Sequence, residues 1–230
     1  MLQRRFSYGR SLLLVGAMVC ASSAAYADQF SFSFNGGGLS GSGVIDVSTV
    51  PVPGVPGGYQ ITGIQGTFSD TNNGISNAAI TGLVTTTLPS VNMDGTFLPP
   101  GSPGSGYGFS WDNLYYPGGD SPWVCPPNPN EDPYPFHGGV LDIYGLLFTV
   151  EGGYAVDLWS NGVLPGYTDP TYGVGDSLNG EVLSTYGEPF SGTSVDVSTT
   201  ATPEPGSLLL LGTGVLGVAG SVRRRLMASR

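Results

Sequence analysis

Phe30, Phe32 and Phe34 alternate with Gln29, Ser31 and Ser33, a period of two that sets three rings on one face of an extended chain. The same period carries Tyr59 and Ile61, shifts phase at Gly63 and resumes with Ile64, Gly66 and Phe68. A phase shift at glycine predicts a β-bulge there. Leu146, Phe148 and Val150 alternate with Leu147, Thr149 and Glu151, and after Glu151-Gly152-Gly153 the pattern restarts with Tyr154, Val156 and Leu158. That interruption predicts a hairpin turn. Thr193, Val195 and Val197 alternate with Ser194, Asp196 and Ser198. Nowhere in this central part does a helical spacing hold over ten residues. Short strands bounded by glycine clusters predict a mainly β body, an antiparallel β-sandwich or jelly roll. A parallel sheet would need crossover helices, and the pattern contains none.

Residues 98–106 and 117–135 are rich in Pro, Gly and Asn and predict long loops on either side of a strand at 108–116. Loops of that length in a compact body are uncommon and are often functional. Gly and Pro total 38 and 19 of 230 residues, a level at which disorder competes, but the period-two patterning favours a folded body. Residues 198–205, Ser-Thr-Thr-Ala-Thr-Pro-Glu-Pro, have linker composition. The expected β-rich extracellular domain therefore spans 28–197.

The two ends differ from the body. Arg4, Arg5 and Arg10 precede an apolar stretch at 11–21, and Ala25-Tyr26-Ala27 offers small residues for cleavage before Asp28. These are the parts of a signal peptide over 1–27, with a signal helix too short to span a bilayer. At the other end, 206–222 carry no charge. Seventeen residues of helix are about 25 Å long, at the lower limit for a transmembrane segment. Glycines 212, 214, 217 and 220 would weaken a soluble helix but are tolerated in a membrane one. Arg223, Arg224 and Arg225 follow and predict a cytoplasmic tail over 223–230, by the preference of basic residues for that side. The inner membrane is thus an expected partner of the C-terminal segment.

Charge is divided along the same boundaries. All seven basic residues are arginines of the two ends, and 28–202 hold sixteen Asp and Glu with no Lys or Arg. A body of this kind has no side chain with which to displace counterions from nucleic acid or clamp a phosphate, which excludes nucleic acid as its partner. Its single cysteine, Cys125, allows no internal disulfide, so the fold rests on its core.

Candidate chemistry is sparse. Gly175-Asp176-Ser177-Leu178 matches a lipase and esterase nucleophile block, but His137 is the only histidine and precedes it; a turn is the better reading. One His and one Cys are too few for a usual zinc site. Asp120, Glu131 and Asp132 lie in the proline-rich loop with Asn128 and Asn130 and could offer oxygen ligands to calcium, the one cofactor considered. Asp70-Thr71-Asn72-Asn73-Gly74 resembles the start of a calcium loop without its later glutamate, and a turn accounts for it. A glycosidase needs only two carboxylates, so composition alone leaves it open. Trp111, Trp123, Trp159, Tyr115 and Tyr116 could stack on sugars if exposed.

The ending Pro203-Glu204-Pro205, an apolar span and an arginine cluster resembles the PEP-CTERM sorting signal. The resemblance covers 203–230. It implies export across the inner membrane of a Gram-negative-type bacterium, recognition of Pro203, Glu204 and Pro205 by exosortase, and Arg223, Arg224 and Arg225 as a cytoplasmic stop. Signal peptidase and exosortase are the implied processing enzymes, and exopolysaccharide of a biofilm matrix is an implied associate. The body motifs Asp112-Asn113-Leu114-Tyr115-Tyr116-Pro117, Gly145-Leu146-Leu147-Phe148-Thr149-Val150 and Val156-Asp157-Leu158-Trp159-Ser160-Asn161-Gly162 are similar to a type common among such proteins. The resulting expectation is a non-enzymatic cell-surface or matrix protein, anchored in the inner membrane before processing. The alternative is a carbohydrate-active enzyme or binding module that uses a carboxylate pair or exposed aromatics.

Overall fold

A computed structural model describes residues 28–85, 90–91, 97–98, 106–123, 136–202, 213, 214 and 217. The expected signal helix and most of the tail lie outside these residues. Among the described residues no helix is long and apolar enough to cross a membrane.

In chain order the strands are β1 (Asp28–Gly36), β2 (Leu39–Pro51), β3 (Tyr59–Asp70), β4 (Ile75–Leu83), β5 (Ser90–Val91) and β6 (Phe97–Leu98). They continue with β7 (Leu114–Tyr115), β8 (Leu146–Val150), β9 (Tyr154–Gly162), β10 (Thr171–Leu178), β11 (Glu181–Gly187) and β12 (Asp196–Ala201). Among the described residues the main sheet runs β11-β10-β9-β8-β4-β3-β2-β1-β12, with β7 added on β3; β5 and β6 pair only with each other. The strand pairings are antiparallel throughout.

The period-two segments at 30–34, 59–68, 146–150 and 154–158 are strands with the phase the sequence set, whereas of 193–198 only the part from Asp196 is a strand. Phe32 and Phe34 point into the core from β1, as do Ile61, Ile64 and Phe68 from β3. Asp46 faces Gly63 while Val47 faces Ile61, so the extra residue, Thr62, forms the bulge expected at the phase shift. Gly152 and Gly153 both have positive φ in the β8–β9 turn, and Val150 faces Tyr154 across it. Only glycine adopts that turn without steric cost.

Two pairings of β4 decide the architecture. Its first part pairs with β3 through Ile75, Ala78 and Ala79, and its second part pairs with β8 through Ile80, Gly82 and Leu83. Hydrogen bonding therefore passes from one half of the sheet to the other through a single strand. Strand β1 lies four steps from β8 along this path, about 19 Å in a flat sheet. Yet the Phe34 and Phe148 ring centroids are 6.4 Å apart. The sheet folds over on itself, and Phe32, Phe34, Ile45, Ile61 and Phe68 of one half meet Phe148, Val150, Val156, Leu158 and Val174 of the other in one core.

Two expectations need correction. Residues 108–116 do not form one strand; only Leu114–Tyr115 is extended and paired. Positive φ at Gly108 and Asn113 turns the chain out of the extended region. Residues 198–201, expected in a linker, form the second half of β12 against β1. Ser and Thr suit an edge strand as well as a linker, because one row of backbone groups there faces solvent.

Candidate functional site

The corner where both ends of the body emerge is built by β1 and β12. Phe30 faces Ala201 and Phe32 faces Thr199 in antiparallel register. Thr202 closes the ladder, its backbone N–H and Oγ1 both donating to the Gln29 carbonyl at 2.8 and 2.6 Å. Tyr115 packs its ring 4.7 Å from that of Phe30 and donates its hydroxyl to Thr199 Oγ1 at 3.1 Å. Asp28, after the expected cleavage point at Ala27, begins β1, and Pro203 follows Thr202 in the sequence. Ala27, Pro203, Glu204, Pro205, Arg223, Arg224 and Arg225 lie outside the described residues.

The most unusual electrostatics of the body lie beneath residues 106–116. This segment crosses the outer face of β8, β9 and β10 as a strap. Tyr107, Phe109 and Trp111 cover Leu147 and Ala155, and the Phe109 ring lies against Gly175, where a Cβ would come within 2.8 Å of it. Asn113 anchors the strap. Its N–H donates to the Gly145 carbonyl (2.9 Å) and its carbonyl accepts from Ile61 N–H (2.9 Å). Its side chain donates from Nδ2 to the Val84 carbonyl (2.8 Å) and accepts at Oδ1 from Leu147 N–H (2.9 Å). One residue thus joins β3, the end of β4 and β8. Its φ of 56° is one that Asn tolerates better than most residues.

Beside this anchor three carboxyl groups are buried: Asp112 of the strap, Asp142 of the turn before β8, and Asp157 in the middle of β9. The Asp112 and Asp142 carboxyls are close enough for each to alter the other's ionisation. Asp142 Oδ1 accepts from Tyr144 N–H (3.0 Å) and Gly145 N–H (3.2 Å), and Oδ2 accepts from the Tyr116 hydroxyl (3.0 Å). Asp112 Oδ1 accepts from Leu114 N–H (3.0 Å), whereas Asp157 Oδ1 has no hydrogen-bond partner. Burial pushes Asp112 and Asp157 well above the usual carboxylate range, with the neighbouring Asp142 charge adding to both. Burial also raises Asp142, against the opposing pull of its donors, and raises the Tyr116 phenol.

Among the described residues the other candidates do not all come together at one place. Ser177 donates its hydroxyl to the Tyr107 carbonyl (2.6 Å), and Asp176 is buried and accepts from Ser184. His137 is exposed and lies against Trp123, with ring centroids 5.7 Å apart. Asp120 is exposed and bridges to Gly139, while Glu131 and Asp132 lie outside the described residues. Among the described residues no group of three or more His, Cys, Asp or Glu could hold a metal. The 70–74 segment is a turn closed by Asn72 N–H donating to Asp70 Oδ1 at 2.8 Å. A cleft of about 290 Å³ between the 152–153 and 179–180 turns is lined by Tyr107, Thr149, Ser177, Asn179 and small residues, and no carboxylate reaches it. Of the five aromatics considered for sugars, Trp111, Tyr115 and Tyr116 are buried, Trp159 is half-buried, and Trp123 is exposed.

The carboxyl cluster and Asn113 went unrecognised as a site in the sequence. A signal was present in Val156-Asp157-Leu158, where an acid shares its phase with Ala155 and Trp159 and has apolar neighbours on both sides.

Residues 201–225 match the family model of the PEP-CTERM protein-sorting motif. No curated protein and no solved structure matches the chain.

Proposed function

We propose that this chain, which ends in a PEP-CTERM sorting motif, is an exosortase substrate whose β body serves at the cell surface or in the exopolysaccharide matrix without catalysing a reaction. The observation that carries the reading is the match at 201–225, which begins at the last residue of β12 and extends through Arg225. An N-terminal signal peptide over 1–27 brings the body across the inner membrane, and the 206–222 segment holds it there until exosortase acts. The body then leaves the membrane with no Lys or Arg of its own. A strongly acidic surface of that kind stays soluble and resists anionic polymers.

Two observations favour a non-catalytic role over a glycosidase. The carboxyl groups with the most raised proton affinity are buried, and the cleft between the two turns holds no acid. A glycosidase needs two carboxyls facing a shared cleft.

Mass spectrometry of the mature C-terminus, in cells with and without the sorting enzyme, tests the proposal. Loss of the 206–230 region only where exosortase is present is the expected result. A terminus at Arg230 in both samples overturns it.

A further inference from the structure

We propose that a calcium ion binds between Asp70, at the end of β3, and Asp176 of β10, bridging the two halves of the folded sheet. The inference is independent of the sorting reading. It rests first on placement. Asp70 shares its phase with Phe68 and Asp176 shares its phase with Val174, and both of these apolar neighbours belong to the main core. The two carboxyls therefore face inward, one from each half of the sheet, and both residues are fully buried. Across its ladders Asp176 faces Val156 of β9 and Ser184 of β11, while Asp70 faces Leu39 of β2. Val156 and Leu39 are core residues too. Burial raises the proton affinity of Asp176, and the Asp70 charge lies close enough to raise it further.

The second support is an open oxygen at the centre of the pair. Asp70 accepts from Asn72 N–H at Oδ1 (2.8 Å) and from Asn73 Nδ2 at Oδ2 (2.5 Å). Asp176 accepts from the Ser184 hydroxyl at Oδ1, but its buried Oδ2 has no hydrogen-bond partner. A buried carboxylate oxygen left unpaired is costly, and two carboxylates at close range repel. The body has no Lys or Arg, and its one histidine is exposed beside Trp123, so the body supplies no basic side chain to balance them. Oxygen donors suit calcium, which takes about six to eight of them from carboxylates, neutral groups and water. Neutral oxygens extend the set here: Ser184 Oγ on Asp176, the Asn73 carboxamide on Asp70, and the Tyr186 hydroxyl, which accepts from Asn72 Nδ2 at 3.3 Å. Residues 71–74 are exposed, which puts solvent one turn away from the pair. A proton held between the carboxyls would relieve the same repulsion, and it predicts no dependence on calcium.

Equilibrium dialysis of the chelator-treated full chain in detergent against radioactive calcium, near neutral pH, tests this. The wild-type chain should retain calcium, and an Asp176→Asn variant should bind it about 10-fold more weakly, because affinity follows the count of charged ligands. No retention by the wild-type chain at about 1 mM calcium, the weak end of the range for extracellular modules, overturns the proposal. Equal retention by wild type and variant also overturns it and assigns the ion to another part of the chain. Hydrogen-exchange mass spectrometry of the wild-type chain with and without calcium locates the ion even if Asp176→Asn does not fold. Protection should rise in 70–76 and 174–186 and stay constant in β7. An unchanged protection of the first two segments in calcium overturns the proposal.

Discussion

Replacing Asn113 by Ala removes two side-chain hydrogen bonds and strands their partners, the Val84 carbonyl and the Leu147 N–H. Val84 and Leu147 are both buried, as is Asn113 itself, so water does not replace the lost partners without local opening. A buried backbone group left unpaired costs about 1–3 kcal/mol. Alanine also adopts the observed φ of 56° at a cost of about 1–2 kcal/mol. With two groups left unpaired, the combined loss is about 3–8 kcal/mol, a large part of the roughly 5–15 kcal/mol that holds a typical domain together. Thermal unfolding of the full-length chain in detergent, followed by near-ultraviolet circular dichroism, measures it, at about 2–4 °C per kcal/mol for a chain of this length. Asn113→Asp is the decisive companion. Protonated, its carboxyl keeps one donor for Val84 and one acceptor for Leu147; ionised, it loses the donor and adds a charge beside Asp112. Its deficit should be small near pH 4 and large near pH 7. A loss below 1 kcal/mol in the alanine variant, or an equal deficit of the aspartate variant at both pH values, refutes the reasoning.

Three further outcomes follow from the same contacts. Asp112 and Asp157 have raised pKa values when folded, so their contribution is complete below the unfolded carboxylate value of about 3.9 and fades as pH rises toward their folded values. Each proton retained only by the folded state lowers stability by about 1.4 kcal/mol per pH unit, so melting temperature should decline from pH 5 to 8; a rise would contradict it. Phe148→Ala opens the contact between the two sheet halves, where Phe148 is fully buried, and should cost about 3–5 kcal/mol in urea unfolding. Calcium held by Asp120, Glu131 and Asp132 would raise the melting temperature in millimolar calcium relative to a chelator; an unchanged value removes that reading.

The strands were legible because their signal is local. Phe30 to Phe34, Ile61 to Phe68 and Leu146 to Leu158 each carry a period of two that no helix could bury, and the phase shift at Gly63 located the bulge. The strap was not legible. Residues 108–116 look extended and apolar, and the turn at Asn113 becomes favourable only because Val84, Leu147, Gly145 and Ile61, distant in sequence, present matching groups to it. The same holds for 198–201, whose Ser and Thr read as linker until β1 supplies a ladder for them.

The sequence alone determined the antiparallel β character, the division of charge between body and ends, and the sorting motif at the C-terminus, because composition and short-range periodicity carry all three. Tertiary structure decided which aromatics are buried, where the sheet folds over through β4, and that Asp112, Asp142 and Asp157 share one dry site. Carboxyls spread over 46 positions from 112 to 157 interact only after the chain has closed. Their proton affinity is set by burial and by one another, and neither exists in the unfolded chain.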